Sequence, residues 1–177
     1  MATTKIEKAI VSPSDSFFFD TNVWLFLFGP IADTDKWKQA KYSSILATIV
    51  SRNAGLFISS LIIAEYINRV LRIEFKNWKT KTGNVNANYK TDFRNTADYL
   101  FAKDDAIKQV GEILKVSTRT PDSFNSIDIN ELFMHIDENC DFNDAYLASL
   151  CERGGHSLVT DDRDFEKSFP DLSIITA

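Results

Sequence analysis

SFFFDTNVW, residues 16–24, sets three consecutive phenylalanines directly before an acid. A run this short and apolar on both sides predicts a strand buried between two layers, as strands of parallel sheets are. The strand ends at Asp20. A carboxylate on a Phe-rich strand costs free energy unless something compensates it. Asp20 therefore either starts a simple turn with Asn22 or belongs to a functional site.

Residues 36–52 carry Trp37, Ala40, Tyr42, Ile45 and Ile49 at helical spacing, and Asn53 to Gly55 supply a stop. GLFIS, 55–59, predicts a second strand. From Ser60 to Trp78 the pattern is helical, with Ile63, Ile67, Val70 and Leu71 towards the core. Glu65, Arg69 and Arg72 share the opposite stripe at i, i+4 and i+7. Residues 77–91 are polar and aperiodic, which predicts a loop. A helix over 93–115 and a break at 117–122 follow. FNSIDI, 124–129, predicts a short strand and NELFMHIDEN, 130–139, a helix. CDFNDAYLASLCER, 140–153, predicts a helix closed by Gly154 and Gly155. HSLVT is a strand running into DDRDF, and LSIIT predicts the last strand.

Strands alternating with helices imply a three-layer α/β/α sandwich around a central, mostly parallel sheet. The length of 177 residues suits one domain spanning 1–177, within which about 77–139 is an extended helical and loop region. Composition is globular, with 44% hydrophobic and 25% charged residues. No apolar run approaches the roughly 20 residues of a membrane helix, and the first 15 residues lack a signal-type apolar stretch. The expectation is a cytoplasmic protein with no membrane partner. Cys140 and Cys151 lack the spacing of a disulfide framework or zinc site. Pairing them with His135 or His156 as a Cys-His nucleophile has no local signature, and no Gly-rich phosphate loop occurs. A net charge of −5 opposes polyanion binding at long range, but cations held in an acidic cleft would reverse the local field.

The position of the acids is the informative feature. Asp20 closes the first strand, Glu65 lies one turn into the helix after the second, Asp144 opens the helix before HSLVT, and Asp162 follows that strand. Ligands of open parallel sheets bind beyond the carboxyl ends of the strands, where strand order reverses. Converging carboxylates suit Mg²⁺ or Mn²⁺, which take hard oxygen ligands and can activate water against a phosphodiester. Each acid also has a purely structural reading. Glu65 could only pair with Arg69; Asp141 fits an N-cap with Asp144 at N3; Asp161, Asp162 and Asp164 could form a solvated turn.

FFFDTNVW, SSLIIAEYINRV, DFNDAYLAS and LVTDDRDF resemble, in order, the four acidic motifs of PIN domains, spanning Asp20 to Phe165. The resemblance implies a Mg²⁺- or Mn²⁺-dependent endoribonuclease and, for VapC-type members, a toxin neutralised by an antitoxin. It assigns catalysis and metal binding to Asp20, Glu65, Asp144 and Asp162, with Asp164 secondary and Asn22, Thr160 and Asp141 supporting. Arg69, Arg72, Lys79 and Lys81, extended by Lys76 and Lys90, would make a basic track for RNA, with Trp78 and Tyr89 available to stack on bases; the structural reading of the same residues is a solvated helix face and a mobile loop. Alternatively the region from Asn77 serves a homodimer or a protein partner. Two other functions compete: a phosphatase of small esters, for which an aspartyl enzyme would need an acid where Asn22 stands, and a non-catalytic interaction module.

Overall fold

A computed structural model describes residues 3–177. Six strands, β1 (Thr4–Lys5), β2 (Ser16–Phe19), β3 (Gly55–Ile58), β4 (Thr118–Arg119), β5 (Ser157–Val159) and β6 (Ile174–Thr176), form one sheet in the order β1-β6-β5-β2-β3-β4. Every pairing is parallel. The phenylalanine run is the centre of this sheet. Phe17, Phe18 and Phe19 are at most 2% exposed, as a strand covered on both faces requires.

Parallel neighbours need crossovers, and helices supply them. They are α1 (Thr21–Phe28), α2 (Lys36–Ser51), α3 (Ser60–Thr82), α4 (Ala97–Val116), α5 (Ile129–Met134), α6 (Phe142–Gly154) and α7 (Asp164–Ser168). α1 packs on α2 and α3, α3 on α4, and α5 on α6, giving helical layers around the sheet. Among the described residues, no helix is long and apolar enough to cross a membrane.

Several boundaries differ from the sequence expectation. α1 begins directly at Thr21, so the apolar stretch Val23, Trp24 and Leu25 is buried as helix, where the motif alone suggested only a turn. The core stripe of α3 is Ile62, Tyr66 and Val70, with Leu71; Ile63 and Ile67 are half-buried flanks. Tyr66 takes the central position because its hydroxyl reaches Gln109 Oε1 of α4 at 2.7 Å, which satisfies a buried polar atom. α3 also continues one turn into the expected loop. It stops at Thr82, because Gly83 adopts φ 69°, a left-handed conformation that glycine reaches without a Cβ penalty.

Further on, residues 89–93 make a π-helical turn, and 124–126 a 3₁₀ turn in place of the expected strand. The break after α4 contains the short edge strand β4. β1 and α7, too short to carry a periodic pattern, have no counterpart in the sequence reading.

Candidate functional site

β2 and β5 are neighbours in the sheet, yet the chain leaves β2 towards β3 and leaves β5 towards β6, in opposite directions. Their carboxyl ends flank the switch point of the sheet, and a crevice forms where crossovers diverge. Asp20 follows β2 there, and its backbone N–H donates to Val159 O at 3.0 Å. Its backbone carbonyl receives Val23 and Trp24 to start α1, but its side chain makes no capping bond to that helix. The carboxylate turns instead towards β5. Thr160 Oγ1 donates to Asp20 Oδ2 at 2.9 Å and Asn22 Nδ2 donates to the same oxygen at 3.2 Å.

Thr160 is wholly buried and links two acids. Its Oγ1 accepts the Asp162 backbone N–H at 3.0 Å, and Asp162 Oδ1 accepts the Asp164 N–H at 2.9 Å, which folds the turn into α7. Asp164 is committed further, to Lys167 at 2.8 Å. Asp161 points elsewhere: it takes Lys38 at 2.7 Å and the Tyr42 hydroxyl at 3.0 Å, tying the turn to α2. Alternating positions of the DDRD run thus have different jobs.

Asp144 stands at N3 of α6, inside a reciprocal capping box with Asp141. Asp141 Oδ1 accepts from Asn143 and Asp144 N–H at 2.7 and 3.0 Å, and Asp144 Oδ2 accepts the Asp141 N–H at 3.2 Å. Glu65 pairs with Arg69 Nε at 3.2 Å one turn along α3. Asp144, Asp162 and Asp164 line one recess with Asn139 and Cys140. Glu65, Asn68, Arg69, Arg72 and Asn143, the last next in sequence to Asp144, line a groove of about 400 Å³.

The electrostatics join these parts. Burial pushes the Asp20 carboxyl up to about 6; Glu65 adds to the shift, while the Thr160 hydroxyl, the Thr21 amide and the Arg69 charge oppose it. Burial likewise pushes Asp144 up to about 7, with Asp141, Asp20 and Asp162 contributing repulsion. Glu65 thus acts on Asp20, and Asp20 and Asp162 act on Asp144, which links the four acids pairwise. Among the described residues, no group of three or more His, Cys, Asp or Glu side chains is spaced to hold a metal ion. The donor set nonetheless fits a hard divalent cation, which takes one or two carboxylates and keeps several waters. Burial makes these carboxylates costly to ionise, with neighbouring acids adding to the cost, and a bound cation would offset both.

The thiols serve packing. Both Cys140 and Cys151 are buried. Burial raises the first to about 11 and raises the second as well, so neither is poised as a nucleophile. His156 is occupied by Ser16 Oγ at 2.6 Å and by the Phe18 and Phe57 rings.

The basic track is thinner than its residue list. Lys79 and Lys81 lie on α3, not in a loop; Lys79 covers the Phe75 ring at 5.0 Å and Lys81 pairs with Asp98 at 3.0 Å. Trp78 and Tyr89 belong to a cluster with Phe75 and Phe93, where intramolecular ring contacts already cover surface that bases would need. Arg72 remains at the groove, its guanidinium 4.4 Å from the Tyr89 ring centre. Asn143 was not singled out in the sequence, although its place inside DFND, one residue from Asp144, was the available signal.

The PIN domain family model matches residues 17–168, from β2 through α7. This chain belongs to the PIN domain family. The family is one of nucleases. A solved structure of VapBC2 from Rickettsia felis, bound to a DNA fragment from its promoter, contains a similar chain. The two share 18% identity over 91% of this PIN domain chain and 98% of that one, with a TM-score of 0.56. PAE2754 from Pyrobaculum aerophilum shares 18% identity over 91% and 83% of the chains, with a TM-score of 0.49. At this identity the likeness is one of fold. No curated protein matches the chain.

Proposed function

We propose that this PIN domain is a cytoplasmic, Mg²⁺- or Mn²⁺-dependent endoribonuclease in which Asp20, Glu65, Asp144 and Asp162 are the working acids. The observation that carries the reading is the placement at the switch point, where Asp20 after β2 is bonded through Thr160 to the Asp162 turn after β5. A bound divalent ion would supply phosphate neutralisation and an acidified water. The residues of the chain orient and bind. Thr160 fixes one oxygen of Asp20 and through it the Asp162 turn, and the capping box fixes Asp144. Asp164 is a secondary contributor because Lys167 already offsets it.

The decisive experiment is cleavage of a single-stranded RNA with Mg²⁺ or Mn²⁺, with EDTA, and beside a phosphate monoester. RNA cleavage that EDTA removes and that leaves the monoester intact is the expected result. Monoester turnover without RNA cleavage would favour the phosphatase. That chemistry is disfavoured by Asn22, whose amide donates to Asp20 and accepts from Arg69 where an acid would be needed. A toxin role with a neutralising antitoxin is the biological setting we favour, given the likeness to a chain of a VapBC assembly.

Arg72 is favoured over the lysines as an RNA contact by its place in the groove beside Glu65. Arg72→Ala is expected to flatten the salt dependence of binding by about 0.7 in log–log slope, as for one lost single-strand phosphate contact. Lys79→Ala and Lys81→Ala should leave the slope unchanged, because neither lysine lines the groove that Glu65, Arg69 and Arg72 share. A loss of slope in the lysine variants alone would overturn this assignment.

A further inference from the structure

Arg69 is placed to do more than form a helix-face pair. Its Nε meets Glu65 Oε1 at 3.2 Å one turn back on α3, and its Nη1 donates to Asn22 Oδ1 on α1, 47 residues away in the chain. A guanidinium presents its donors as a rigid fork, so these two contacts hold Glu65 and Asn22 in fixed relation. The consequence passes to Asp20. With Asn22 Oδ1 engaged by Arg69, the amide must present Nδ2 in the other direction, and it donates to Asp20 Oδ2 at 3.2 Å. Thr160 then continues the chain of bonds to Asp162. One polar relay, Glu65-Arg69-Asn22-Asp20-Thr160-Asp162, joins three of the four acids across α3, α1 and the turn after β5.

Resting on the nuclease reading, we propose that Arg69 is an internal counter-cation of this site. It holds Glu65 and orients Asn22, competes with a divalent ion for Glu65, and serves as a phosphate contact when RNA enters the groove. Three observations support this. The Arg69 charge lowers the Asp20 pKa, so the guanidinium lies within the field of the acids. Its side chain is 46% exposed, and it lines the groove beside Arg72 and Asn143, so it can reach a polyanion. A pair on one helix turn would be a weak surface feature; the bond to Asn22 on a second helix is what distinguishes this one.

The competing roles make opposite predictions for two ligands, which a scaffold residue does not. With Arg69→Gln, Mn²⁺ titrated alone by calorimetry should bind about two- to fivefold more tightly, since a partly exposed ion pair no longer has to be broken. In the same variant carrying Asp144→Asn, a labelled RNA should bind about tenfold more weakly, the effect of one lost charge-assisted contact. Arg69→Lys retains the charge without the fork, so it should recover part of the RNA affinity while leaving Mn²⁺ affinity between the other two.

Weaker Mn²⁺ and weaker RNA binding together would make Arg69 a structural strut and overturn the proposal. So would tighter Mn²⁺ binding with unchanged RNA affinity, or no change in either. A wild-type protein that binds no Mn²⁺ and cleaves no RNA defeats the nuclease reading itself, whereas an active wild type with an unresponsive Arg69→Gln defeats only this inference.

Discussion

Asp144→Asn is expected to lower RNA cleavage by at least about 10²-fold, the scale on which losing one electrostatic contributor to a phosphoryl or acyl transition state is felt. The fold should not change. Asparagine is nearly isosteric and keeps an oxygen for the Asp141 N–H, so the capping box at the start of α6 can persist. What disappears is the negative charge shared with Asp20 and Asp162. Asp161→Asn is the matched control, one residue before Asp162. Its carboxylate is committed to Lys38 and Tyr42, so cleavage should fall less than about twofold while stability drops by roughly 0.5–2 kcal/mol, for a half-buried pair with one added hydrogen bond. Initial rates on one RNA, with circular dichroism for fold, measure both. Equal losses of activity in the two variants would mean that the acids matter only as a net charge, and the site assignment would fail.

The parts of this architecture legible in the sequence were those with strong local causes. Phe17 to Phe19 are apolar on both faces and could only be a covered strand; Gly155, at φ 65°, closes α6 as its glycine pair suggested; Asp141 caps that helix through a pattern of adjacent residues. What escaped depended on tertiary context. The face that α3 buries is set by α4, through Tyr66 and Gln109, and a helix carrying isoleucine at 62, 63 and 67 offers two nearly equivalent stripes. Trp78 and Tyr89 looked available because nothing local shows that Phe75 and Phe93 fold back to cover them. The relay through Arg69 and Asn22 joins positions 47 residues apart, a relation that spacing on one helix does not express.

Asp20→Asn and Asp144→Asn should each stabilise the protein at pH 7.5 in the presence of EDTA, even as they abolish activity. Both carboxyls ordinarily titrate near 3.8, and the fold raises them to about 6 and about 7, burial being the larger cause in each. A carboxyl whose pKa is higher in the folded than in the unfolded chain binds its proton more tightly when folded. Its contribution to stability is therefore complete below about pH 3.8 and is lost as pH rises through 6 and 7. Above that window the ionised carboxylate opposes folding. At about 1.4 kcal/mol per pKa unit, rises from 3.8 to about 6 and about 7 correspond to at most roughly 3 and 4 kcal/mol, the second reduced by the partial exposure of Asp144 and by the lost favourable dipole at the start of α6. Asparagine does not ionise, so the variants should gain that amount at pH 7.5 and nothing near pH 3.5. Urea unfolding at the two pH values reads the difference directly. Adding Mn²⁺ should then reverse the order, because an ion that binds the folded wild type stabilises it by mass action and finds fewer ligands in the variants. Variants no more stable than wild type in EDTA at pH 7.5, with wild type unmoved by Mn²⁺, would mean that Asp20 and Asp144 carry no uncompensated charge for a cation to relieve.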